Sequence, residues 1–565
     1  MPAGAGMTAR RGAEIALGLA MAVAIGLIVH ATNGQGFAID ELYYYGRVAV
    51  KEGALVHYPS PFSPEYLLAP FNGHLALGGR FVYETVFATL GAHYTVFVVI
   101  NALGICACAG LLFVFARRRI GDVAALAPAL LVLFFGIARE QFLWPLDFNT
   151  SVALAAGLAA ILCLQREDRR ADMPACLLLA LSAAMIEVGL AFLVGAALLI
   201  ALDRDRLRRA WIVAAPLVLY AGWWAWSARF DQGETKLSNI VDAPKTAFES
   251  IAVALGALTG TNSPIPASFG TDLTTLGKVL AVLALIALVV RLARGGLPRT
   301  IWVWLVVAGT YWTLLAVAAR SPQSTRYLLV SAVLVLLIAA DYFRRPLSNR
   351  VGAALVVVAL LPLPANIDAM LTGKDENVLR TDIPKTRAEF AMVELAGERV
   401  DPAYVVSSDP RVAELGGGLY LGIPAVAILD AAKQNGSIAY SLDELQEQPE
   451  EIRAIADAAL VGAIPVELEP SHPPGAGLVC RTTEPRGKRA AVAPLSTGFN
   501  LVRAPGPETP LIGVRRFATS GPGVPIARLR PGGWASLKLP QDGEKDWQLV
   551  THATVTTCSI SSSAP

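Results

Sequence analysis

Charge is almost absent from eleven long stretches in the first 370 residues of the chain. A helix crosses a bilayer with roughly 20 mainly apolar residues, because no water is there to bond an open backbone. The eleven runs therefore predict a multi-pass membrane protein. They cover residues 13–32, 94–116, 121–138, 150–165, 173–186, 188–203, 210–227, 276–293, 300–319, 327–343 and 351–368. Composition agrees, since 16% of all residues are charged against about 25% in soluble domains. Runs 173–186 and 188–203 are short, and one broken helix with a re-entrant piece is an alternative.

Basic residues predict the orientation of these spans, because Lys and Arg prefer cytoplasmic loops. If the N-terminus is cytoplasmic, every connection on that side is basic: 116–122, 165–172, 203–209, 291–299 and 343–350. The first run is interpreted as a retained helix rather than a signal peptide, since no small-x-small cleavage site follows it. We therefore expect a multi-pass protein of the cell membrane, with residues 371–565 on the extracytoplasmic side.

Polar residues that need an explanation gather at the predicted external ends of the spans. A transporter keeps ionisable residues inside its spans, near the midplane, where this sequence has almost none. The candidates come from the loop 33–93, the connection 137–149, the interrupted run near 187 and the connection 318–329. They are Asp40, Glu41, His57, His74, Arg80, Arg139, Glu140, Asp147, Glu187, Arg326 and Tyr327.

Each candidate also has a simpler interpretation. Asp40 and Glu41 are suited to cap a helix that starts in YYYGRVAVKEG. Either histidine is compatible with a solvated or core imidazole, Glu187 with a buried structural ion pair, and the arginines with snorkelling to the interface. Taken together, carboxylates supply general bases or metal ligands, and arginines grip phosphates. A reaction with a phosphate leaving group would need both.

The stretches AIDELYYYGRV and FNGHLALGGRFVYE, with Glu187 in an interrupted helix pair, resemble the GT-C superfamily over roughly residues 1–370. These are integral membrane glycosyltransferases that use polyprenyl-phosphate sugars. The resemblance implies that Asp40 is the general base of an inverting transfer, supported by Glu41. It also implies that Arg326 holds the donor phosphate, with Arg80 or Arg139 as alternatives. Some members bind a divalent metal, but no ligand set is spelled out here.

The C-terminal region predicts two soluble parts, an α/β part over 371–470 and a β-rich, sandwich-like part over 471–565. The only two cysteines of this region, Cys480 and Cys558, suggest a disulfide in an oxidising compartment. As in the arabinosyltransferase branch of the superfamily, the β-rich part is a candidate for carbohydrate binding. Trp534 and Trp547 are then either sugar-stacking or core residues.

The leading hypothesis is a glycosyltransferase that moves a sugar from a polyprenyl-phosphate donor to a glycan, lipid or protein acceptor of the cell envelope. The alternatives are a transporter or flippase of a polyprenyl-linked or amphiphilic substrate, and a membrane scaffold that presents its external domain. Membrane lipids are expected partners. The net charge of +2 says nothing about partners, and no basic stripe suggests nucleic acid.

Overall fold

The chain divides into two compact units in a computed structural model. Unit 1 comprises Met1–Gln35 and Ala49–Arg380, and unit 2 comprises Gly36–Val48 and Thr381–Pro565. The structure describes residues 3–560 apart from 52, 167, 231–234, 266–267, 269, 344, 377, 419–421, 465, 476–477, 488 and 541–545. The sequence predicted a helical domain that ends at residue 370 and contains the whole first loop. In the structure, the boundary lies ten residues later, and the stretch with Asp40 and Glu41 belongs to unit 2.

Helices dominate the described chain, and strands are concentrated near its end. The helices are α1 Ala3–Ala31, α2 Asp40–Tyr45, α3 Pro64–Leu68, α4 Leu77–Leu90, α5 Tyr94–Ile120, α6 Leu126–Leu133, α7 Arg139–Leu143, α8 Phe148–Leu164, α9 Asp172–Met185, α10 Val188–Ala201, α11 Arg206–Arg209, α12 Trp211–Ser227, α13 Ala243–Leu258, α14 Thr275–Gly295, α15 Arg299–Val317, α16 Thr325–Phe343, α17 Asn349–Leu360, α18 Leu363–Glu376, α19 Val378–Ala396, α20 Pro410–Glu414, α21 Ala425–Asn435, α22 Leu442–Gln446 and α23 Glu450–Ala463. The strands are β1 Val48–Lys51, β2 Ala54–His57, β3 Leu468–Ser471, β4 Leu478–Thr483, β5 Ala491–Leu495, β6 Gly498–Arg503, β7 Leu511–Arg515, β8 Val524–Arg528, β9 Trp534–Leu539, β10 Trp547–Thr551 and β11 Val555–Ile560.

Eight helices of the described chain are long and apolar enough to cross a membrane, against the eleven predicted. They are Ala9–Ala31, Tyr94–Ile120, Pro145–Leu164, Trp211–Phe230, Thr275–Arg294, Arg299–Val317, Thr325–Phe343 and Asn349–Thr372. The remaining three runs form the shorter helices α6, α9 and α10. Helix α6 ends before Gly136, which packs directly against the backbone of Asn366. Helices α9 and α10 have 14 residues each and are separated at Ile186 and Glu187. The multi-pass helical class is thus confirmed, with fewer full spans.

The helices of unit 1 present different chemistry at their two ends. At one end, Arg119 Nε lies 2.6 Å from Asp341 Oδ1, and Arg209 Nη2 lies 2.7 Å from Asp172 Oδ1. These ion pairs use the basic connections that the sequence assigns to the cytoplasm. Successive spans run in opposite directions, so the starts of α8, α10 and α16 and the ends of α9 and α15 meet at the other end. We call this second end the carboxylate end.

The first half of the C-terminal region is helical rather than α/β. The sequence predicted a strand in AYVVSSD, but residues 406–408 form a 3-10 turn. Val405 makes only an isolated bridge, with Pro424. Proline has no backbone N–H and cannot extend a ladder of strand hydrogen bonds. In the described part of residues 381–467, the regular elements are therefore helices.

Two antiparallel sheets form the second half of unit 2, as the sequence predicted. One has the strand order β5-β10-β7-β8 and the other β3-β9-β6-β11-β4. The first of these sheets is anchored to α23 through buried Asp457, which accepts hydrogen bonds of 2.8–2.9 Å from the backbone N–H groups of residues 516–518, just after β7. Trp547 is fully buried and belongs to the core, whereas Trp534 is half-buried and lies beneath the Arg503 guanidinium. The sugar-stacking interpretation therefore no longer applies to Trp547.

Candidate functional site

The loop 36–48 folds within unit 2 through its aromatic and basic residues. Tyr45 Oη donates a 2.9 Å hydrogen bond to Gly436 O, and its ring stacks on Phe390 at 6.5 Å. Arg47 donates to Gln434 Oε1 at 2.6 Å and to Asn435 Oδ1 at 3.1 Å. These contacts explain why the stretch with Asp40 groups with the C-terminal residues.

The adjacent carboxylates of this loop have different surroundings. Glu41 is fully buried, and its Oε2 accepts a 3.1 Å hydrogen bond from the Ala38 N–H, which fixes the turn into α2. Asp40 is half-buried at the first position of α2. Ile39, just before it, has φ 46°, which is strained for a β-branched residue. Backbone strain of this kind concentrates at functional sites. Glu41 thus has a structural contact, and Asp40 follows a strained residue.

At the carboxylate end of unit 1, Arg326 lies between two carboxylates. Its Nε is 3.3 Å from Glu140 Oε1 and 3.2 Å from Asp147 Oδ1, and its guanidinium lies 4.5 Å from the centre of the Trp144 ring. Glu140 Oε2 also accepts a 3.3 Å hydrogen bond from Thr325 Oγ1. The two carboxylates are almost fully buried, while a quarter of the Arg326 side chain is exposed. This arrangement orients a cation that still reaches solvent.

The electrostatics of this group favour retention of the arginine charge. Burial raises the pKa of the Glu140 carboxyl; the Arg326 guanidinium opposes this effect, and the Asp147 carboxylate adds to it. A guanidinium stays protonated at all physiological pH values. The Arg326 guanidinium therefore remains charged beside these two carboxyl groups, at the ends of apolar helices.

The other two candidate arginines bind backbone carbonyl groups. Buried Arg80 donates to Tyr66 O at 2.5 Å and to Ala69 O, and lies over the Tyr66 ring. Buried Arg139 donates to Ile265 O at 2.6 Å and to Ser268 O. Both guanidinium groups stabilise loops of unit 1, which makes Arg326 the better candidate for an anionic ligand.

A second polar group lies at the turn between α9 and α10. His74 Nδ1 is 3.1 Å from Glu187 Oε2, within ion-pair distance although the angle is not that of a hydrogen bond. About a fifth of each side chain is exposed. Helices α12 and α15, which carry Tyr220 and Tyr311, pack against α10, which follows this turn. Tyr327 was among the sequence candidates, whereas Tyr220 and Tyr311 were not, since an aromatic residue in an apolar span normally indicates core.

The remaining candidates lie apart from these groups or serve other roles. His57 ends strand β2 and is half-buried. Cys480 and Cys558 are directly opposed on β4 and β11 and form a disulfide. Over the residues that the structure describes, no three His, Cys, Asp or Glu side chains are grouped as metal ligands.

These features define the class of the protein. It is a multi-pass helical membrane protein with acidic, basic and phenolic groups at one end of its spans, and it carries a second unit of helices and two sheets.

Comparison with known proteins finds a resemblance among solved structures. No protein-family model matches the sequence, and no curated protein matches it. Among solved structures, the chain resembles the crystal structure of ArnT from Cupriavidus metallidurans bound to undecaprenyl phosphate. The two share 13% sequence identity with a TM-score of 0.44, over 79% of this chain and 88% of that one.

Proposed function

We propose that the protein is a membrane glycosyltransferase that moves a sugar from a polyprenyl-phosphate donor to a glycan, lipid or protein acceptor of the cell envelope. The observation that carries the proposal is Arg326, a partly exposed guanidinium oriented by two buried carboxylates and an indole at the ends of apolar helices. A lipid-linked phosphate presents its charge at this level of a membrane. The proposed orientation puts the carboxylate end on the extracytoplasmic side.

The proposed reaction is a single inverting displacement. The acceptor hydroxyl oxygen attacks the anomeric carbon, and the bond from that carbon to the phosphate oxygen breaks with its electron pair on the phosphate. The leaving polyprenyl phosphate gains negative charge, which Arg326 stabilises. Such preorganised charge stabilisation is usually the largest single catalytic contribution.

The proton of the acceptor hydroxyl goes to a general base, for which we propose Asp40. Its neighbour Glu41 holds the turn that positions α2, and Ile39 is strained immediately before it. A general base typically contributes 10²- to 10⁴-fold, that is, roughly two to four orders of magnitude in rate. Glu41 is proposed as a positioning residue.

Asp40→Asn tests the base, with Asp205→Asn as the matched control. Asp205 is exposed in a basic connection, where it pairs with Arg169. In detergent-purified protein with a polyprenyl-phosphate sugar, Asp40→Asn should lower the transfer rate at least 100-fold without weakening donor binding, while Asp205→Asn retains the wild-type rate. Wild-type transfer by Asp40→Asn would refute the role of Asp40.

Arg326→Lys tests the phosphate contact. Lysine keeps the charge but loses the planar fork that binds two phosphate oxygens. We expect weaker binding of polyprenyl phosphate itself, by about tenfold, the equivalent of one charged hydrogen bond. If purified protein moved the lipid across vesicle membranes without any sugar transfer, the enzyme proposal would be replaced by transport.

A further inference from the structure

The turn between α9 and α10 joins two helices that are too short to cross a membrane completely. Each helix has 14 residues and is therefore about 21 Å long, against a hydrocarbon core of about 30 Å. Both helices start or end at the basic connections, so their turn falls short of the opposite surface. Glu187 is placed at this turn, where a carboxylate requires polar partners.

Tyr311 lies close to this turn by the register of two packed helices. Helix α15 packs against α10, and Gly195 of α10 contacts Val307 of α15 so closely that a side chain on Gly195 would overlap it. The helices are antiparallel because α10 begins and α15 ends at the carboxylate end. Counted toward the carboxylate end, Glu187 is eight residues from Gly195, and Tyr311 is four residues from Val307. The two residues differ by about 6 Å along the helix axes, which a tyrosine side chain spans.

The Tyr311 hydroxyl is a buried polar group without a protein partner. The residue is 1% exposed, and its Oη makes no hydrogen bond to any residue that the structure describes. The packing of α15 against α10 places this residue near the level of the Glu187 turn. Buried polar groups are normally satisfied, and an exception calls for an explanation. A ligand that completes its hydrogen bonding provides one.

The chemistry of Glu187 and Tyr311 indicates which class of ligand they would bind. The basic side chain that contacts Glu187 is His74, so a phosphate beside Glu187 and Tyr311 would meet a carboxylate with no guanidinium to bind it. At Arg326, a phosphate can bind the guanidinium directly. A carboxylate accepts hydrogen bonds, and a phenol both donates and accepts. Neighbouring hydroxyl groups of a sugar ring match this set, because each donates one hydrogen bond and accepts others.

We propose that Glu187 and Tyr311 bind the ring hydroxyls of the transferred sugar, and that His74 positions Glu187. The inference rests on the proposed function and divides the donor between two places. The sugar lies at the α9–α10 turn, and the phosphate lies at Arg326. Tyr311 thereby contributes to the choice of sugar.

Tyr311→Phe separates a ligand contact from a structural role. Removing a hydroxyl that has no protein partner should leave the melting temperature of the ligand-free protein unchanged or higher. Tyr58→Phe is the matched control, because Tyr58 is also buried with no hydrogen bond from Oη to the described residues. Its electrostatic neighbours are Glu65, Arg80 and Arg229 rather than Glu187.

Two probes report on the two parts of the donor. Binding of undecaprenyl phosphate and of its pentose- and hexose-bearing forms is measured by ligand-induced shifts in melting temperature, in detergent. We expect Tyr311→Phe to bind undecaprenyl phosphate like the wild type and the best glycosylated form about tenfold more weakly, the size of one lost hydrogen bond to a charged or polar partner. Tyr58→Phe should bind both like the wild type.

The other outcomes overturn the inference. Equal losses for both probes would place Tyr311 at the phosphate, and no loss for either would remove it from the site. A lower melting temperature without ligand would show that the hydroxyl is structural. If the wild type bound none of the probes, the proposed function would itself fail, and this inference with it.

Discussion

At the residue scale, Glu389 makes the stability of unit 2 depend on pH. Its carboxyl is buried on α19 and accepts a 2.6 Å hydrogen bond from the Gly418 N–H. Burial raises the pKa of Glu389 to about 7; the Gly418 hydrogen bond and Lys385 oppose this, and Asp382 adds to it. The folded form therefore binds a proton more tightly than the unfolded form, whose Glu pKa is near 4.5.

The stability of unit 2 should fall as the pH rises from about 4.5 to about 7, because the unfolded state releases this proton in that range while the folded state still retains it. The full difference is of the order of 3 kcal/mol, at 1.36 kcal/mol for each pKa unit. This fall in stability is measured by hydrogen exchange of the α19 amides, corrected for the intrinsic pH dependence of exchange. Glu389→Gln keeps an acceptor for Gly418 but cannot titrate at this position, so its exchange should depend less on pH across this range than that of the wild type. A variant with the wild-type slope would contradict the assignment.

The contribution of Glu450, in the same unit, changes with pH in the opposite direction. Burial raises its pKa, but hydrogen bonds from Ser520 and Thr519 outweigh that effect and lower it to about 2. Its contribution is present above about pH 4.5 and is lost as the pH falls toward 2. The two windows do not overlap. Burial also raises the carboxyl pKa of Asp382 and of Glu394 on α19, so the part due to Glu389 is the difference between the wild type and Glu389→Gln.

At the scale of elements, the α9–α10 turn depends on Gly189. A Cβ at this position would overlap the backbone of Ser182 and Ala183. Gly189→Ala should force the two helices apart, at a cost of about 1–3 kcal/mol, and displace Glu187. We expect a lower melting temperature and a loss of sugar transfer.

Gly222→Ala is the control for this variant. Gly222 also lies in an apolar helix, α12, but has no atom within 4 Å of the added Cβ. Alanine stabilises a helix relative to glycine by about 0.5–1 kcal/mol, so this variant should be neutral or slightly more stable. Equal behaviour of the two variants would show that the turn tolerates a side chain.

The sequence predicted elements and helix ends better than it predicted which residues share a unit. Glu140, Asp147 and Arg326 come together as expected, because the alternating direction of successive spans brings the ends of distant helices to one side. The position of Asp40 was not predictable, since it depends on contacts between residues nearly 400 positions apart, such as Tyr45 with Gly436. Tyr311 was not among the predicted site residues, because a sequence does not distinguish a tyrosine whose hydroxyl binds a ligand from an aromatic residue of the core.

At the scale of the whole molecule, orientation in the membrane is the main prediction to test. Glu508 is an exposed residue of unit 2, and Asp205 is exposed in a basic connection of unit 1. In right-side-out vesicles, a membrane-impermeant maleimide should label Glu508→Cys above the wild-type background. Asp205→Cys should be labelled only after the vesicles are opened. The reverse pattern would place the proposed reaction on the cytoplasmic side.

The chain passes between its two units at three places, after residues 35, 48 and 380. A gene that lost the codons for 381–565 would still encode the loop 36–48, whose Leu42, Tyr44 and Tyr45 are buried in the structure. A single recombination event after residue 380 therefore cannot add or remove all of unit 2, because the loop 36–48 is encoded separately. We expect the two units to be inherited together. Substitutions in the loop 36–48 should covary with substitutions in the segments around Phe390 and Gly436, which contact Tyr45 of this loop.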